Sequence, residues 1–143
     1  MSLATELDAR VTPEDLLMMP DGDRYELING CLVEQPMSLK SSWVAGQVFR
    51  ILARYLDEHP IGDLFPEGTA YRCFPDGDRI RKADASFIRR GRLSSQQLDE
   101  GYCDIAPDLA VEVVSPHDSH VDVAAKLADY FSAGVPLVWL VEP

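Results

Sequence analysis

Three acidic residues stand inside strand-like segments rather than in turns: Glu26, Asp84 and Glu112. Glu112 interrupts the apolar run at 109–114, which is typical of a central strand covered on both faces. A carboxylate at such a position needs a cation, a metal ion or a proton. For each acid alone, an ion pair or solvation is the ordinary explanation. Three converging carboxylates would repel one another unless a cation held them, and ligation by oxygen alone selects a hard ion such as Mg²⁺ or Mn²⁺.

The formal net charge of −11 works against nonspecific binding of polyanions, because domains that bind nucleic acid generally carry a basic surface. The positive charge is concentrated, since seven of the 13 Lys and Arg residues lie between positions 72 and 92. In that segment Arg79, Arg81 and Lys82 are the candidates for contacts with nucleic acid. The alternative is that the segment's cations balance neighbouring aspartates on an exposed hairpin.

Apolar periodicity and turn residues predict the elements that position these side chains. Asn29-Gly30 is the strongest signal, because this dipeptide between two strand-like runs is typical of a tight hairpin. Ser41 or Ser42 is expected to cap the longest helix, which should cover the sheet. The predicted segments are a helix beginning after Thr12, strands at 25–28 and 31–34, a helix at 41–58, one or two short strands within 62–74, a strand at 82–88 and a polar loop at 89–104.

The last third of the chain is predicted to be a strand-helix-strand unit. Asp118 or Ser119 can cap the helix that follows the strand at 109–114, and Gly134 ends that helix. A second apolar run at 137–141 forms the next strand, with a right-handed crossover if the two strands are parallel neighbours. The residues expected on the helix's apolar face are Val123, Leu127, Tyr130 and Phe131.

Length and composition fit one globular domain, with 143 residues of which 46% are hydrophobic. Residues 1–11 are expected to be a disordered leader, followed by a single domain at 12–143. The longest apolar runs are strand-length, far short of the roughly 20 residues that a membrane span requires, and no signal peptide is visible. Three scattered cysteines fit reduced thiols, so the expected location is the cytoplasm.

Several segments occur in an order that is specific as a set, although each segment alone is weak. They are 25–30, 83–88, 107–116, Lys126, Tyr130, 134–135 and 139–141. This ordered set, which spans nearly the whole chain from Thr12 onward, resembles the Uma-two family of putative endonucleases in the PD-(D/E)XK, or restriction-endonuclease-like, superfamily. The resemblance implies an α/β restriction-endonuclease-like core with a central mixed sheet, flanking helices and an N-terminal hairpin. It also implies a metal-dependent phosphodiesterase site.

The resemblance implies roles for the three acids. Asp84 and Glu112 match the two catalytic acids of the superfamily, Glu26 matches an extra upstream acid, and all three are the implied metal ligands. The sequence departs from the superfamily pattern at two positions. Ala83 stands where the superfamily's name has proline, and Val114 replaces the lysine expected two residues after Glu112.

Lys126 matches a lysine on the following helix that takes over this catalytic role in the Uma-two family. Without the resemblance, the ordinary explanation of Lys126 is an i,i+4 pair with Asp122, worth a few tenths of a kcal/mol. The implied function is a nuclease that uses Mg²⁺, or Mn²⁺, to hydrolyse phosphodiester bonds, with DNA as the expected substrate. Lys126 then serves as the catalytic base or as a charge partner.

Two alternatives stay open. One is a degenerate nuclease fold that serves as a binding module for nucleic acid or protein, which the acidic charge and Val114 favour. The other is a hydrolase that acts on a different phosphate substrate.

The strand containing Trp139 has an uncovered edge when the chain stops at Pro143. We therefore expect further residues, or a homodimer partner, to cover that edge.

Overall fold

The computed structural model describes residues 10–143. The elements, in chain order, are helix α1 (Pro13–Met18), strands β1 (Tyr25–Ile28) and β2 (Cys31–Glu34), helix α2 (Leu39–Glu58), strands β3 (Gly62–Phe65), β4 (Ala70–Tyr71), β5 (Arg81–Lys82), β6 (Ala85–Arg89) and β7 (Leu109–Val113), helix α3 (His120–Ser132) and strand β8 (Leu137–Val141). Short 3₁₀ turns occur at Gly22–Arg24 and Gln97–Asp99. Among the described residues, no helix is long and apolar enough to cross a membrane.

The central sheet is mixed and has four strands in the order β3-β6-β7-β8. Strands β3, β6 and β7 pair in antiparallel fashion, whereas β7 and β8 are parallel and are joined through α3. Helix α2 packs on one face, against the buried Leu109 and Val111 of β7. Tyr130 of α3 packs against Ala110 on the other face. The predicted α/β architecture, with helices flanking a mixed sheet and an N-terminal hairpin, is confirmed.

The hairpin of β1 and β2 turns at Asn29 and Gly30, which both have positive φ. It is attached to the rest of the fold through Leu27, which exchanges two backbone hydrogen bonds with Ile80 at 3.0 and 2.9 Å. Leu27 itself is fully buried among apolar neighbours. Because successive side chains of a strand point to opposite faces, the neighbouring Glu26 points away from that cluster.

The predicted single strand at 82–88 is divided in the structure. Strand β5 pairs with β4, whereas β6 pairs with β3 and β7, so the chain changes partners at Ala83 and Asp84. Asp84 lies in the resulting bend, where its backbone N–H donates to the carbonyl oxygen of Val111 at 2.9 Å. Because Asp84 lies in a bend, its side chain can lie beside β7 rather than on a regular strand face.

Two predicted features of the helices are wrong. Ser38 caps α2 in a reciprocal arrangement with Ser41, so the helix begins before the expected cap, Ser41 or Ser42. Phe131 is 56% exposed and does not belong to the buried face of α3. The cap of α3 is Ser119, one of the two predicted residues, and its hydroxyl accepts from the Asp122 N–H.

The predicted leader at 1–11 lies mostly outside the described residues. Its last residue, Val11, donates its backbone N–H to the carbonyl oxygen of Gly30 at 2.9 Å. The described structure therefore begins before Thr12.

At the other end of the chain, β8 lies at the edge of the central sheet. Three of its residues are 40–50% exposed: Leu137, Trp139 and Leu140.

Gly134 ends α3 as predicted, with φ +87°. The N–H groups of Gly134 and Val135 donate to the carbonyls of Phe131 and Tyr130, both at 3.0 Å, which is the Schellman arrangement. An added Cβ at Gly134 would meet no atom within 4 Å, so a substitution there would be strained by backbone conformation alone.

We predict opposite effects for two glycine substitutions, measured by urea unfolding. Gly134→Ala should lower the free energy of unfolding by about 1 kcal/mol, because alanine disfavours positive φ. Gly46→Ala, in the middle of α2 where a Cβ would also meet nothing, should raise it by about 0.5–1 kcal/mol. Stabilisation by both substitutions would contradict the assigned conformation of Gly134.

Candidate functional site

The four residues predicted to bind metal or to act in catalysis line one cleft of about 440 Å³, together with Arg81. Glu26 comes from β1, Asp84 from the bend between β5 and β6, Glu112 from β7 and Lys126 from α3. All three acids are buried. The cleft is open, and residues 34–37, which connect the hairpin to α2, form part of its wall.

The ammonium group of Lys126 lies between two of the carboxylates. Its Nζ atom is 3.2 Å from Glu26 Oε2 and 3.0 Å from Glu112 Oε2, and it donates to the backbone carbonyl of Lys82 at 3.0 Å. Burial alone would lower the pKa of Lys126, but Glu112 and Glu26 outweigh burial and raise that pKa. Lys126 therefore stays charged, and its pairing with these acids replaces the pair with Asp122 that helical spacing allowed.

Glu112 is held by α3 at two points. Its Oε1 atom accepts from the Tyr130 hydroxyl at 2.8 Å, and its Oε2 atom faces Lys126. Burial raises the pKa of Glu112 to about 8; Lys126 opposes this shift, whereas Asp84 and Glu26 add to it. The site therefore places a carboxyl group where its negative charge is poorly compensated by the protein.

Asp84 is fixed by the strand beside it. Its Oδ2 atom accepts from the Val113 N–H at 2.6 Å, so the carboxylate lies next to the end of β7 and close to Glu112. Burial raises the pKa of Asp84, although the hydrogen bond from Val113 and the charge of Lys126 act in the opposite direction. Asp84 and Glu112 are thus two neighbouring buried carboxyl groups.

Glu26 is engaged differently from the other two acids. Its Oε2 atom accepts from the Lys82 backbone N–H at 2.7 Å and faces Lys126, while Oε1 lies 3.3 Å from an Arg81 nitrogen. Within residues 10–143, no three His, Cys, Asp or Glu side chains are arranged to hold a metal ion together. Glu26 therefore faces Lys126, Arg81 and the Lys82 backbone, whereas Asp84 and Glu112 lie beside each other.

Of the three cations expected to contact nucleic acid, Arg81 and Lys82 are buried and Arg79 is half-buried. Arg81 donates to Asp129 Oδ2 from Nε at 2.9 Å and from a terminal nitrogen at 2.6 Å. Arg79 also pairs with Asp129, and Lys82 donates to the backbone carbonyl of Asp23 at 2.6 Å. Because contact with a phosphate would break these buried interactions, we do not assign Arg79, Arg81 and Lys82 to nucleic-acid binding.

Two residues of the site were not identified from the sequence. Asp129 anchors Arg79 and Arg81, and Tyr130 orients Glu112. Tyr130 was predicted to lie on the apolar face of α3 and belongs to the ordered motifs, but it had no predicted role in the site, and Asp129 had no predicted role. The available signal was an acid and a hydroxyl at adjacent positions, one turn after a lysine on a half-buried helix.

The arrangement combines hard oxygen ligands with a fixed positive charge. Asp84 and Glu112 present carboxylate oxygens, the ligand type that Mg²⁺ prefers. Lys126 supplies an ammonium group beside them. An ammonium group, or a cation held by carboxylates, can neutralise charge on phosphoryl oxygens, which is the main requirement of phosphoryl transfer.

A solved structure described as a putative nuclease belonging to DUF820, from Anabaena variabilis ATCC 29413, is similar to this chain. The TM-score is 0.76 and the sequence identity is 23%, over 93% of this chain and 74% of that chain. The likeness shows a shared fold. No curated protein matches this chain.

The comparison with protein families is more specific. The model of the Uma2 (Uma-two) family, described as "Putative restriction endonuclease", matches residues 13–143. This match includes every residue of the cleft described above. The chain therefore belongs to the Uma2 family, as the ordered motifs of its sequence indicated.

Proposed function

We propose that the protein is a Mg²⁺-dependent nuclease that hydrolyses phosphodiester bonds in DNA. The observation that supports this most strongly is the pair of buried carboxyl groups, Asp84 and Glu112, in an open cleft beside the charged Lys126. Family membership and the similar solved structure, itself described as a putative nuclease, support the reaction class. The metal, the substrate and the residue roles are parts of the proposal.

The residues present fit a magnesium ion. Mg²⁺ keeps several water ligands and is usually bound through one or two carboxylates together with substrate phosphates, so Asp84 and Glu112 suffice. Both groups are buried next to each other, where a second positive charge would relieve their repulsion. When bound, such an ion acidifies water and acts as a Lewis acid toward phosphoryl oxygen.

Lys126 fits the role of charge partner better than that of base. A base must lose its proton, whereas Glu112 and Glu26 hold the Lys126 pKa above its ordinary value. The ammonium group has three N–H donors, and Glu26, Glu112 and the Lys82 carbonyl account for all three. Lys126 can therefore donate to a phosphoryl oxygen only by releasing one of these partners. Of the three, Glu112 is the partner for which a metal ion would compete with Lys126.

The alternative is a binding module without catalysis. It is favoured by the same contacts, because Lys126 pairs with both Glu26 and Glu112 without any metal. The two proposals differ in what they require of Asp84. A nuclease needs its carboxylate as a ligand, whereas a binding module needs at most the hydrogen bond that Asp84 accepts from Val113.

The first test is Asp84→Asn. Asparagine can still accept from the Val113 N–H but lacks the buried charge, so the variant should unfold at the same temperature as wild type in EDTA, or higher. Wild type should gain about 2.7 kcal/mol at a Mg²⁺ concentration 100 times its Kd, and the variant should gain nothing. Plasmid nicking should disappear in the variant.

The matched control is Asp122→Asn, an exposed carboxyl group at the rim of the same cleft. It should keep both the Mg²⁺-dependent shift and the nicking activity. If Asp84→Asn instead unfolds at a much lower temperature in EDTA and Mg²⁺ never stabilises wild type, Asp84 is a structural acid. The nuclease proposal then loses its metal site.

The second test uses the competition between protons and metal at Glu112. Its native pKa of about 8 exceeds the reference value of 4.5, so the native state binds the proton more tightly. The contribution of this group to stability is complete below about pH 4.5 and is lost as pH rises toward 8. The loss cannot exceed about 1.4 kcal/mol per pH unit for one group.

Denaturant unfolding of wild type and Glu112→Gln in EDTA, from pH 4.5 to 9, measures this contribution. The difference in unfolding free energy, wild type minus variant, should fall with rising pH. The Mg²⁺-induced stabilisation of wild type should grow over the same range. Parallel pH profiles for the two proteins would show that Glu112 does not hold a proton in the native state.

A further inference from the structure

The solvent-facing side of α2 carries a row of polar and aromatic side chains, which we call the α2 stripe. Its members lie three or four residues apart, so they fall within a sector of about 80° around the helix axis. The opposite side of the helix contains the buried Ser41 and Ala45. The stripe consists of Lys40, Trp43, Gln47, Arg50 and Arg54.

The cations of the stripe are free to meet a ligand. Lys40, Arg50 and Arg54 are exposed, and none of them forms an ion pair with another residue in the described part of the chain. No Asp or Glu occurs between positions 39 and 56. By contrast, four other cations are held by partners within the protein: Arg79, Arg81, Lys82 and Lys126. The α2 stripe is therefore a local positive surface on a strongly acidic protein.

The stripe begins next to the cleft. Residues 35–37 line the cleft, and Lys40 lies in the first turn of the helix that follows them. From Lys40 to Arg54 the helix rises about 21 Å, which matches about six nucleotides along one strand of B-form DNA. Trp43, at 63% exposure, lies within this distance and offers a ring on which an unpaired base can stack.

We propose that the α2 stripe binds the phosphodiester backbone of the substrate where it leaves the cleft. The inference rests on the proposed function and adds the surface that holds the nucleic acid. Charge complementarity selects this occupant, because three unpaired cations face a polyanion. A second copy of the chain fits less well. A two-fold symmetric contact through this face would bring the same cations together.

The test compares two double variants that remove equal charge. The stripe variant combines Arg50→Gln with Arg54→Gln and removes two charges of the stripe. The control variant combines Arg89→Gln with Arg90→Gln and removes two exposed arginines at the end of β6. Binding of a labelled oligonucleotide is followed by fluorescence anisotropy in EDTA, at salt concentrations from 50 to 200 mM. Each phosphate contact contributes about 0.9 to the slope of log K against log salt for duplex DNA and about 0.7 for single strands.

The stripe variant should reduce the magnitude of that slope by about 1.4–1.8, so its loss of affinity should be about tenfold larger at 50 mM salt than at 200 mM. Adding Lys40→Gln should increase both effects, while the control variant should leave the slope unchanged. The stripe variant should keep the Mg²⁺-dependent rise in unfolding temperature, which shows that the fold and the carboxylate site are intact. Trp43→Ala should weaken the binding of single strands more than that of duplex DNA.

Equal losses in the two double variants would overturn the inference, because the effect would then reflect net charge alone. A wild type that binds Mg²⁺ and nicks plasmid, with a stripe variant that binds oligonucleotide equally well, would overturn the inference and leave the proposed function standing. Loss of a wild-type dimer in the stripe variant, without loss of oligonucleotide binding, would assign the surface to self-association instead. A wild type that neither responds to Mg²⁺ nor cleaves DNA would overturn the proposed function itself.

Discussion

The contacts of one buried ammonium group determine how the site is built. Lys126 lies between Glu26 and Glu112, which belong to the N-terminal hairpin and to the central strand β7. Removing one partner of a buried ion pair typically costs about 3–5 kcal/mol, because the other charge is left uncompensated. These contacts hold the hairpin, β7 and α3 together at Lys126, and the cleft lies where the three elements meet.

The surrounding charges continue the same arrangement. Arg81 joins Glu26 to Asp129, Arg79 also contacts Asp129, and Tyr130 holds Glu112. Within the basic segment, Arg79 and Arg81 therefore support the acidic site, whereas Arg89 and Arg90 are exposed. Burial raises the pKa of both Asp84 and Glu112, so a bound cation would stabilise the charged forms of these two acids.

Local signals in the sequence were sufficient for most of the fold. The Asn29-Gly30 hairpin, the buried strand at 109–114, the Ser119 cap and the Gly134 helix end all depend on neighbouring residues, and each was predicted. The bend at Asp84 and the inward direction of Arg81 were not predictable, because they depend on partners from distant segments. The exposure of the cations was not predictable for the same reason, because nothing local distinguishes the buried Arg81 and Lys82 from the exposed cations on α2.

The central claim is that Asp84 and Glu112 together bind a divalent cation while Glu26 stays with Lys126. A crystal structure of the protein with Mn²⁺, with diffraction measured at the manganese absorption edge, tests it most directly. The account predicts one anomalous peak within coordinating distance of Asp84 and Glu112, with the Glu26 carboxylate still in contact with Lys126. A peak bound by Glu26 in place of Asp84, or no peak in the cleft at saturating Mn²⁺, would contradict it.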